Sequence, residues 1–219
     1  MGGDALTNPK DKTQISRRRP PEFDLIAGNV CLDFVNTLDD RHTKPKELLR
    51  NYLDLVRFAE DSGLLDEVKL DRLFTRGHAD PERGEEALKW ARVLREAIHD
   101  VFWAIINKRP APPMALAQLN GSARVAASHM WLVPLKSGGF EWVYDDANEF
   151  TCMLWPIARA AVDLLTSDQL PYVRACFSKS CEWFFLDTSK SHQRRWCDMT
   201  RCGNRAKVQR FYQRQKGAS

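Results

Sequence analysis

The stretch that decides the fold of the C-terminal region reads CFSKSCEWFFLDTSKSHQRRWCDMTRCGNR and runs from Cys176 to Arg205. Its four cysteines have the spacing C-x4-C-x15-C-x4-C, with arginine and tryptophan between them. Residues five positions apart on an α-helix differ by about 140° around its axis, so neither x4 pair can meet within one helix. Each pair therefore needs a turn. Residues 178–180 and 198–200 suit such turns, and Gly203 permits a backbone reversal after the last cysteine.

These cysteines predict a metal site. The chain shows no secretory signal, and in a reducing compartment clustered cysteines bind metal more often than they form disulfides. Four thiolates on two turns suit tetrahedral zinc, so we expect one structural Zn²⁺ per chain, held by Cys176, Cys181, Cys197 and Cys202. Disulfides, unpaired thiols and an iron–sulfur cluster are the alternatives. His192 is expected to be an exposed loop residue, and the alternative is that it replaces one of the cysteines as a zinc ligand. Cys31 and Cys152 lie in apolar periodic segments and are expected in the core.

Composition and hydropathy indicate a folded cytoplasmic protein. Of the 219 residues, 43% are hydrophobic, which is enough for a packed core. The longest apolar runs are too short to span a membrane. Three arginines, Arg17 to Arg19, precede Pro20 and Pro21, and no apolar segment typical of a secretion signal follows them. We therefore expect residues 1–20 to form a flexible basic tail.

Hydrophobic periodicity predicts a helical body. Apolar stripes indicate helices from about Asn29 to Asp39, within KPKELLRNYLDLVRFAEDSGLL with a C-cap at Gly63, and over four later segments, the longest of which is GEEALKWARVLREAIHDVFWAIINKR. Two short aromatic runs around Lys136–Gly139 predict a β-hairpin, and its two tryptophans, Trp131 and Trp142, belong either to the core or to an interface. We therefore expect a mainly α (α+β) fold. A multihelical domain with one hairpin covers residues 21–168, and a small treble-clef or ribbon-like zinc module ending in a basic helix covers residues 171–219.

Charge is concentrated at the two ends of the chain. Residues 171–219 contain eleven Lys or Arg against three Asp or Glu, and residues 1–20 contain five against two. The part between them is acidic, with 17 basic and 24 acidic residues. Clustered cations on a small module indicate a polyanionic partner, most simply nucleic acid. A purely solvated face is the alternative. The residues expected to contact phosphate are Arg194, Arg195, Arg201 and Arg205 near the metal and Lys207, Arg210 and Arg214 on one stripe of a helix predicted over 204–216.

The run Cys202-Gly203-Asn204-Arg205, preceded by Arg195-Trp196-Cys197, resembles the CGNR zinc finger, a C-terminal module of bacterial proteins that begin with an ABATE domain. The segment GNVCLDFVNTL, residues 28–38, is similar to the opening motif of ABATE proteins. The resemblance covers about 25–168 and 171–216. It implies zinc ligation by the four cysteines and a stress-induced transcription regulator whose finger binds nucleic acid. Within its signature, Asn204 is expected to cap the last helix by accepting a backbone N–H, and Arg205 to contact phosphate or form a salt bridge. Trp196 is expected to pack on the metal turns, with stacking on a base as the alternative.

Three polar residues of the opening motif, Asp33, Asn36 and Thr37, lie close to its apolar face. Capping and buried hydrogen bonds would satisfy them. Alternatively, they line a pocket for a small-molecule effector, which would make the body a sensor.

The chain shows no Gly-rich phosphate loop, HExxH motif or persuasive nucleophile–histidine arrangement, so we do not expect an enzyme. The function is therefore predicted from the finger. The leading hypothesis is a transcription regulator, with DNA favoured over RNA and the body acting as a sensor or homodimerisation domain. Two alternatives remain: a protein-interaction module with purely structural zinc, and a thiolate sensor that responds to oxidation by releasing zinc.

Overall fold

The structure is a computed structural model that describes residues 23–41, 43–145, 149–178 and 180–216. In the last helix, the side chains of residues 209–211, 213, 214 and 216 fall outside the description. The basic tail predicted for residues 1–20 also lies outside the described residues. Within these ranges, every helix is too short or too polar to cross a membrane.

The described residues form seven helices and three short antiparallel strand pairs. The elements of the body are α1 (Val30–Val35), β1 (Leu38–Asp39), β2 (Lys46–Glu47), α2 (Tyr52–Asp61), α3 (Glu67–Ala79), α4 (Pro81–Ile106), α5 (Pro113–Ser128), β3 (Met130–Pro134), β4 (Phe140–Tyr144) and α6 (Leu154–Leu165). The C-terminal module contains a 3₁₀ turn (Leu170–Tyr172), β5 (Val173–Ala175), β6 (Phe184–Leu186), a π-helical turn (Met199–Gly203) and α7 (Asn204–Lys216). The predicted fold class, a mainly helical body with a hairpin and a four-cysteine module, is confirmed.

Polar side chains set the helix starts and explain two differences from the predicted bounds. The first helix ends at Val35 rather than at Asp39, because residues 38–39 pair with residues 46–47 as β1 and β2. The second helix begins at Tyr52 rather than near Lys44, because the Asn51 side chain accepts a hydrogen bond from the N–H of Asp54 at 3.0 Å and caps the helix. Gly63 lies in the left-handed region just after α2, with φ of 66°, as predicted for a C-cap.

The core surrounds α4, which packs against α2, α3, α5 and α1. Fully buried side chains of α4, including Leu88, Ile98 and Phe102, form one continuous hydrophobic cluster with the other helices. This cluster also contains Phe184 and Phe185 of β6. The C-terminal module therefore shares the hydrophobic core of the body and is not a separate domain joined to it only by a linker.

The β3–β4 hairpin projects from this core. Its register pairs Trp131 with Val143 and Leu132 with Trp142. Trp131 and Trp142 are 59% and 62% exposed, so the hairpin tryptophans are not core residues.

Two helical glycines, Gly77 and Gly121, predict different effects of a Gly→Ala substitution on stability. A Cβ on Gly77 of α3 would lie 2.6 Å from Cδ1 of buried Tyr52, whose hydroxyl donates to the carbonyl of Phe150 at 3.1 Å and restrains the ring. A Cβ on Gly121 of α5 would meet no atom within 4 Å. Both Gly→Ala changes gain about 1 kcal/mol of helix propensity, and only the first overpacks the core, at a cost of about 1–3 kcal/mol.

We therefore expect Gly77→Ala to lower the free energy of unfolding relative to Gly121→Ala by about 1–3 kcal/mol in urea titrations. The gain in helix propensity is the same in both variants and cancels in the comparison. Equal free energies of unfolding for Gly77→Ala and Gly121→Ala would therefore contradict the packing of Tyr52 against α3.

Candidate metal centre and the surface around it

The sulfur atoms of Cys176, Cys181, Cys197 and Cys202 lie within 4.8 Å of one another. Sγ of Cys197 is 3.5 Å from Sγ of Cys181 and 3.7 Å from Sγ of Cys202. Disulfide sulfurs are about 2.05 Å apart, so these contacts are not disulfides. Tetrahedral zinc with Zn–S bonds of about 2.3 Å places its sulfur ligands about 3.8 Å apart. The donor set and its spacing therefore fit zinc, with Cys181 partly exposed and the other three ligands buried.

The first pair lies at the tip of the β5–β6 hairpin. Cys176 directly follows β5, and its N–H donates to the carbonyl of Trp183 at 2.8 Å. The N–H of Cys181 donates to the carbonyl of Ser178 at 2.9 Å and closes a tight turn. The pairing of Ala175 with Phe184 fixes the register of the hairpin. Antiparallel pairing thus turns an x4 spacing into two adjacent sulfur atoms.

The second pair is joined by the π-helical turn. The N–H of Gly203 donates to the carbonyl of Asp198, five residues earlier, at 3.1 Å. An i→i+5 turn brings residues five apart to the same side, whereas an α-helix separates them by about 140°. The argument that no helix can join an x4 pair therefore holds for α-helices and is wrong for this π turn. Asp198 starts the turn, since its carboxylate accepts from the N–H of Arg201 at 3.2 Å.

Gly203 has a different role from the backbone reversal predicted for it, because its φ is not positive. A Cβ at this position would lie 2.9 Å from Sδ of Met199 and 3.4 Å from Cδ1 of Trp196. The absence of a side chain therefore lets the π turn pack against Trp196. This is the packing role predicted for that tryptophan, whose ring also meets Phe177 edge-on at a centroid distance of 6.0 Å.

Outside the cluster, burial raises the pKa of Cys31 strongly and that of Cys152 to about 11. These two thiols stay protonated near neutral pH and act as small core hydrophobes.

Arg194 does not face outward as predicted. Its Nε donates to the carbonyl of Trp196 at 2.9 Å, another guanidinium nitrogen donates to the carbonyl of Cys197, and the group lies 4.7 Å from the ring centroid of Phe185. The guanidinium therefore ties the metal turn to β6. Nε and one Nη nitrogen of Arg194 are thus engaged within the module, which disfavours the phosphate contact predicted for this residue.

Arg201 is exposed but forms a bidentate ion pair with Asp24 of the body, with an Nη2–Oδ1 distance of 2.9 Å. This carboxylate neutralises the charge that was assigned to phosphate. The ion pair instead joins the π turn to the segment before α1.

Three of the predicted cations remain exposed around the metal turns. The guanidinium of Arg195 lies over the ring of Phe177 at 4.3 Å, and Arg205 donates to the hydroxyl of Ser180 at 2.9 Å. Lys207 is exposed on the first turns of α7. These residues therefore keep positive charge on a fixed surface. Two further cations of α7 have side chains outside the described residues, namely Arg210 and Arg214.

Asn204 also differs from its predicted capping role. Its side-chain amide donates to the carbonyl of Thr200 at 3.0 Å instead of accepting a backbone N–H. It thereby satisfies a carbonyl where the π turn passes into α7. His192, the substitute ligand, instead stacks on Tyr172 at 3.8 Å and contacts the carbonyl of Asp187 through Nδ1 at 2.9 Å.

The three polar residues of the opening motif make internal contacts rather than line a pocket. Both polar atoms of the buried Asn36 amide pair with Phe184: Nδ2 donates to its carbonyl and Oδ1 accepts from its N–H, each at 2.9 Å. The Thr37 hydroxyl donates to the carbonyl of Phe34 at 2.7 Å. Asp33 accepts from the N–H of Ala27 at 2.9 Å. Burial raises the pKa of Asp33 to about 6 despite its backbone hydrogen bonds. The effector-pocket hypothesis for these three residues is therefore corrected.

Other contacts between body and module join residues far apart in sequence. The indole N–H of Trp183 donates to Oδ1 of Asp39 at 2.7 Å, across 144 positions. The N–H of Leu186 donates to the carbonyl of Ala27 at 2.7 Å, and the ring of Phe184 stacks on His99 of α4 at 5.2 Å. Sequence reasoning missed Asp39 and His99, because no local spacing marks a partner so distant along the chain.

Asp187 is another residue that sequence reasoning missed. It is 1% exposed and accepts from the Ser189 hydroxyl at 2.6 Å and from the N–H of Arg194 at 2.8 Å. Burial acts to raise its pKa, but these hydrogen bonds prevail and lower it. The ionised carboxylate thus shapes the loop that leads back from β6 to the metal.

Two family models match the chain. The ABATE model, described as "Putative stress-induced transcription regulator", matches residues 28–168. The CGNR zinc finger model matches residues 172–215, which include the four clustered cysteines. A search of curated proteins found no match.

The Asn36–Phe184 pairing predicts a large effect of removing one side chain. Asn36→Ala would leave a buried N–H and a buried carbonyl without partners, at about 1–3 kcal/mol for each. We expect the free energy of unfolding to fall by about 2–6 kcal/mol, measured by urea titration of the zinc-loaded chain. Asn107→Ala is the matched control, because its amide makes one exposed hydrogen bond, to the carbonyl of Trp103. Similar losses in the two variants would rule out the docking role of Asn36.

The sulfur geometry predicts the metal content. Wild type and Cys152→Ala should each contain one zinc per chain, whereas Cys197→Ser should lose most of it, as measured by native mass spectrometry and elemental analysis. Zinc affinity should decrease as the pH is lowered, because protons compete for the thiolates. Iron in place of zinc, or full zinc occupancy in Cys197→Ser, would disprove the assignment.

Proposed function

The chain belongs to the ABATE family and ends in a CGNR zinc finger, and from this we propose that it is a transcription regulator whose finger binds DNA. The family descriptions and the four-cysteine cluster support a regulatory role and a bound zinc ion. DNA as the partner is our proposal, as is the absence of catalysis. The observation that carries it is a set of exposed cations, Arg195, Arg205 and Lys207, close in sequence to the four clustered cysteines.

The proposed contact surface is smaller than the sequence alone indicated. Arg195, Arg205 and Lys207 are exposed on the finger, and helical spacing adds Arg210 and Arg214 of α7. Arg194 and Arg201 are removed from it because their guanidinium groups bind carbonyls and Asp24, respectively. Five cations are enough for salt-dependent binding to the phosphate backbone of DNA. The packing of Arg195 on Phe177 and the hydrogen bond of Arg205 reduce the entropy lost on binding.

In this proposal the body positions the finger. Contacts from Asp24, Asn36 and Asp39 hold the metal turns on the helical core, so a change in the body is passed to the basic surface. The exposed hairpin tryptophans, Trp131 and Trp142, provide a surface for a homodimer.

A second candidate function is thiolate sensing, and one observation favours it. Cys181 is partly exposed while the other ligands are buried, so an oxidant reaches this sulfur first. Oxidation would prevent zinc binding and disrupt the turn that precedes Phe184. If mild peroxide releases zinc and alters DNA affinity together, this function is supported. Unchanged affinity after complete release counts against it.

The proposed surface predicts the salt dependence of binding. Five phosphate contacts give a slope of log K against log salt of about −4.5 for duplex DNA. Replacing Arg195, Arg205 and Lys207 together by Gln should reduce the slope to about −1.8 and weaken binding at least tenfold at about 50 mM salt. The measurement is fluorescence anisotropy of labelled DNA titrated with the zinc-loaded full chain.

The matched control removes equal charge from exposed residues of the body, through Lys89→Gln, Arg109→Gln and Arg124→Gln. It should leave the slope nearly unchanged. If the chain binds single-stranded RNA more tightly than duplex DNA, RNA and not DNA is the partner. If neither nucleic acid is retained at about 50 mM salt, and an acidic protein partner survives nuclease treatment, the finger is a protein-interaction module.

A further inference from the structure

A cavity of about 500 Å³ lies in the body between α4, α5 and the start of α6. This volume falls within the range of small-molecule sites, about 300–1,000 Å³. Three aromatic side chains, Trp90, Phe150 and Trp155, contribute to its lining, and none of its lining residues belongs to the finger. It is also separate from the three opening-motif residues considered above.

Two large apolar side chains at this cavity are exposed to solvent and are not packed into the hydrophobic core. Trp90 of α4 and Val125 of α5 are 54% and 49% exposed, and both line the cavity. Gly121 of α5 also lines the cavity, and a Cβ at this position would meet no atom within 4 Å. Large exposed apolar groups at a concave surface are typical of a binding site.

The floor of the cavity is held by fixed contacts. Phe150 is 5% exposed, and its carbonyl accepts from the Tyr52 hydroxyl at 3.1 Å. Trp155 is 3% exposed, with the ring of His129 stacked on it at 3.8 Å. The site is therefore largely preformed, which lowers the entropic cost of binding a rigid molecule.

The polar groups of the lining define the ligand class. The charged residues of the lining carry both signs, with Arg83 positive and Glu86 and Glu149 negative. A strongly anionic ligand is thus disfavoured. The aromatic side chains of the lining suit a flat ring system.

We propose that this cavity binds a small, uncharged, planar aromatic molecule. The inference deepens the regulatory function proposed above and rests on it for the ligand's role as an effector. Binding itself is measured without nucleic acid, so the site and the DNA-binding function succeed or fail separately.

The test uses 6-propionyl-2-(dimethylamino)naphthalene, an uncharged fluorescent naphthalene with a ketone acceptor, titrated with the zinc-loaded full chain. We expect saturable, blue-shifted emission with one probe per chain. Gly121→Leu fills the cavity from a helical position with free space, and it should weaken binding at least about tenfold. Trp90→Ala removes an exposed wall of the site and should weaken binding about fivefold or more. Circular dichroism melting confirms that both variants remain folded.

The matched control is Ala127→Leu, which adds the same side chain at an exposed position of α5 outside the cavity. It should bind the probe like the wild type. The proposal is overturned if the wild type shows no saturable binding, or if Gly121→Leu and Ala127→Leu bind equally. It is also overturned if Trp142→Ser in the exposed hairpin abolishes binding while Gly121→Leu does not, because the probe would then report the hairpin.

Discussion

The amide of Asn36 pairs with both backbone polar groups of Phe184, and the arrangement of body and finger depends on this contact. Both hydrogen bonds are buried and measure 2.9 Å. Their net contribution is modest while they are intact, but an unpaired buried N–H or carbonyl costs the full desolvation penalty. Phe184 is therefore stable in the body core only where an amide meets its backbone. One side chain at the end of α1 thus helps to hold β6 against the body.

The metal turn and the body core both stabilise the β5–β6 hairpin. Cys176 and Cys181 close the turn of the β5–β6 hairpin, while Phe184 stacks on His99 of α4 at 5.2 Å. Zinc binding contributes folding free energy to a site that is not formed in the unfolded chain. Part of that free energy therefore supports packing in the body. Metal occupancy and the stability of α4 are linked because they share one short hairpin.

How far the sequence predicts the structure depends on the distance between partners. The four ligands and the bounds of α7 follow from local spacing, and both were predicted. The π turn was not, because the x4 spacing was judged only against α-helical geometry. Arg201 was assigned to phosphate because nothing near it in sequence shows that Asp24, 177 positions away, lies beside it. Arg194 was misassigned for a different reason: its acceptors lie only two and three residues away, but they are backbone carbonyls, which every residue carries. Local patterns thus identify donors and ligands, and long-range packing decides which stay available.

The geometry of α4 restricts how a ligand in the body could affect the finger. This helix has 26 residues and a length of about 39 Å at 1.5 Å per residue. Trp90 lines the cavity, and His99, about 13.5 Å further along, stacks on Phe184. Between them, buried Arg95 binds Glu47 through two hydrogen bonds of 2.6 and 2.7 Å, which restrains sliding of the helix. A ligand shifts an equilibrium only by its differential affinity for two arrangements. Regulation through α4 therefore requires a second arrangement in which this ion pair moves together with the helix.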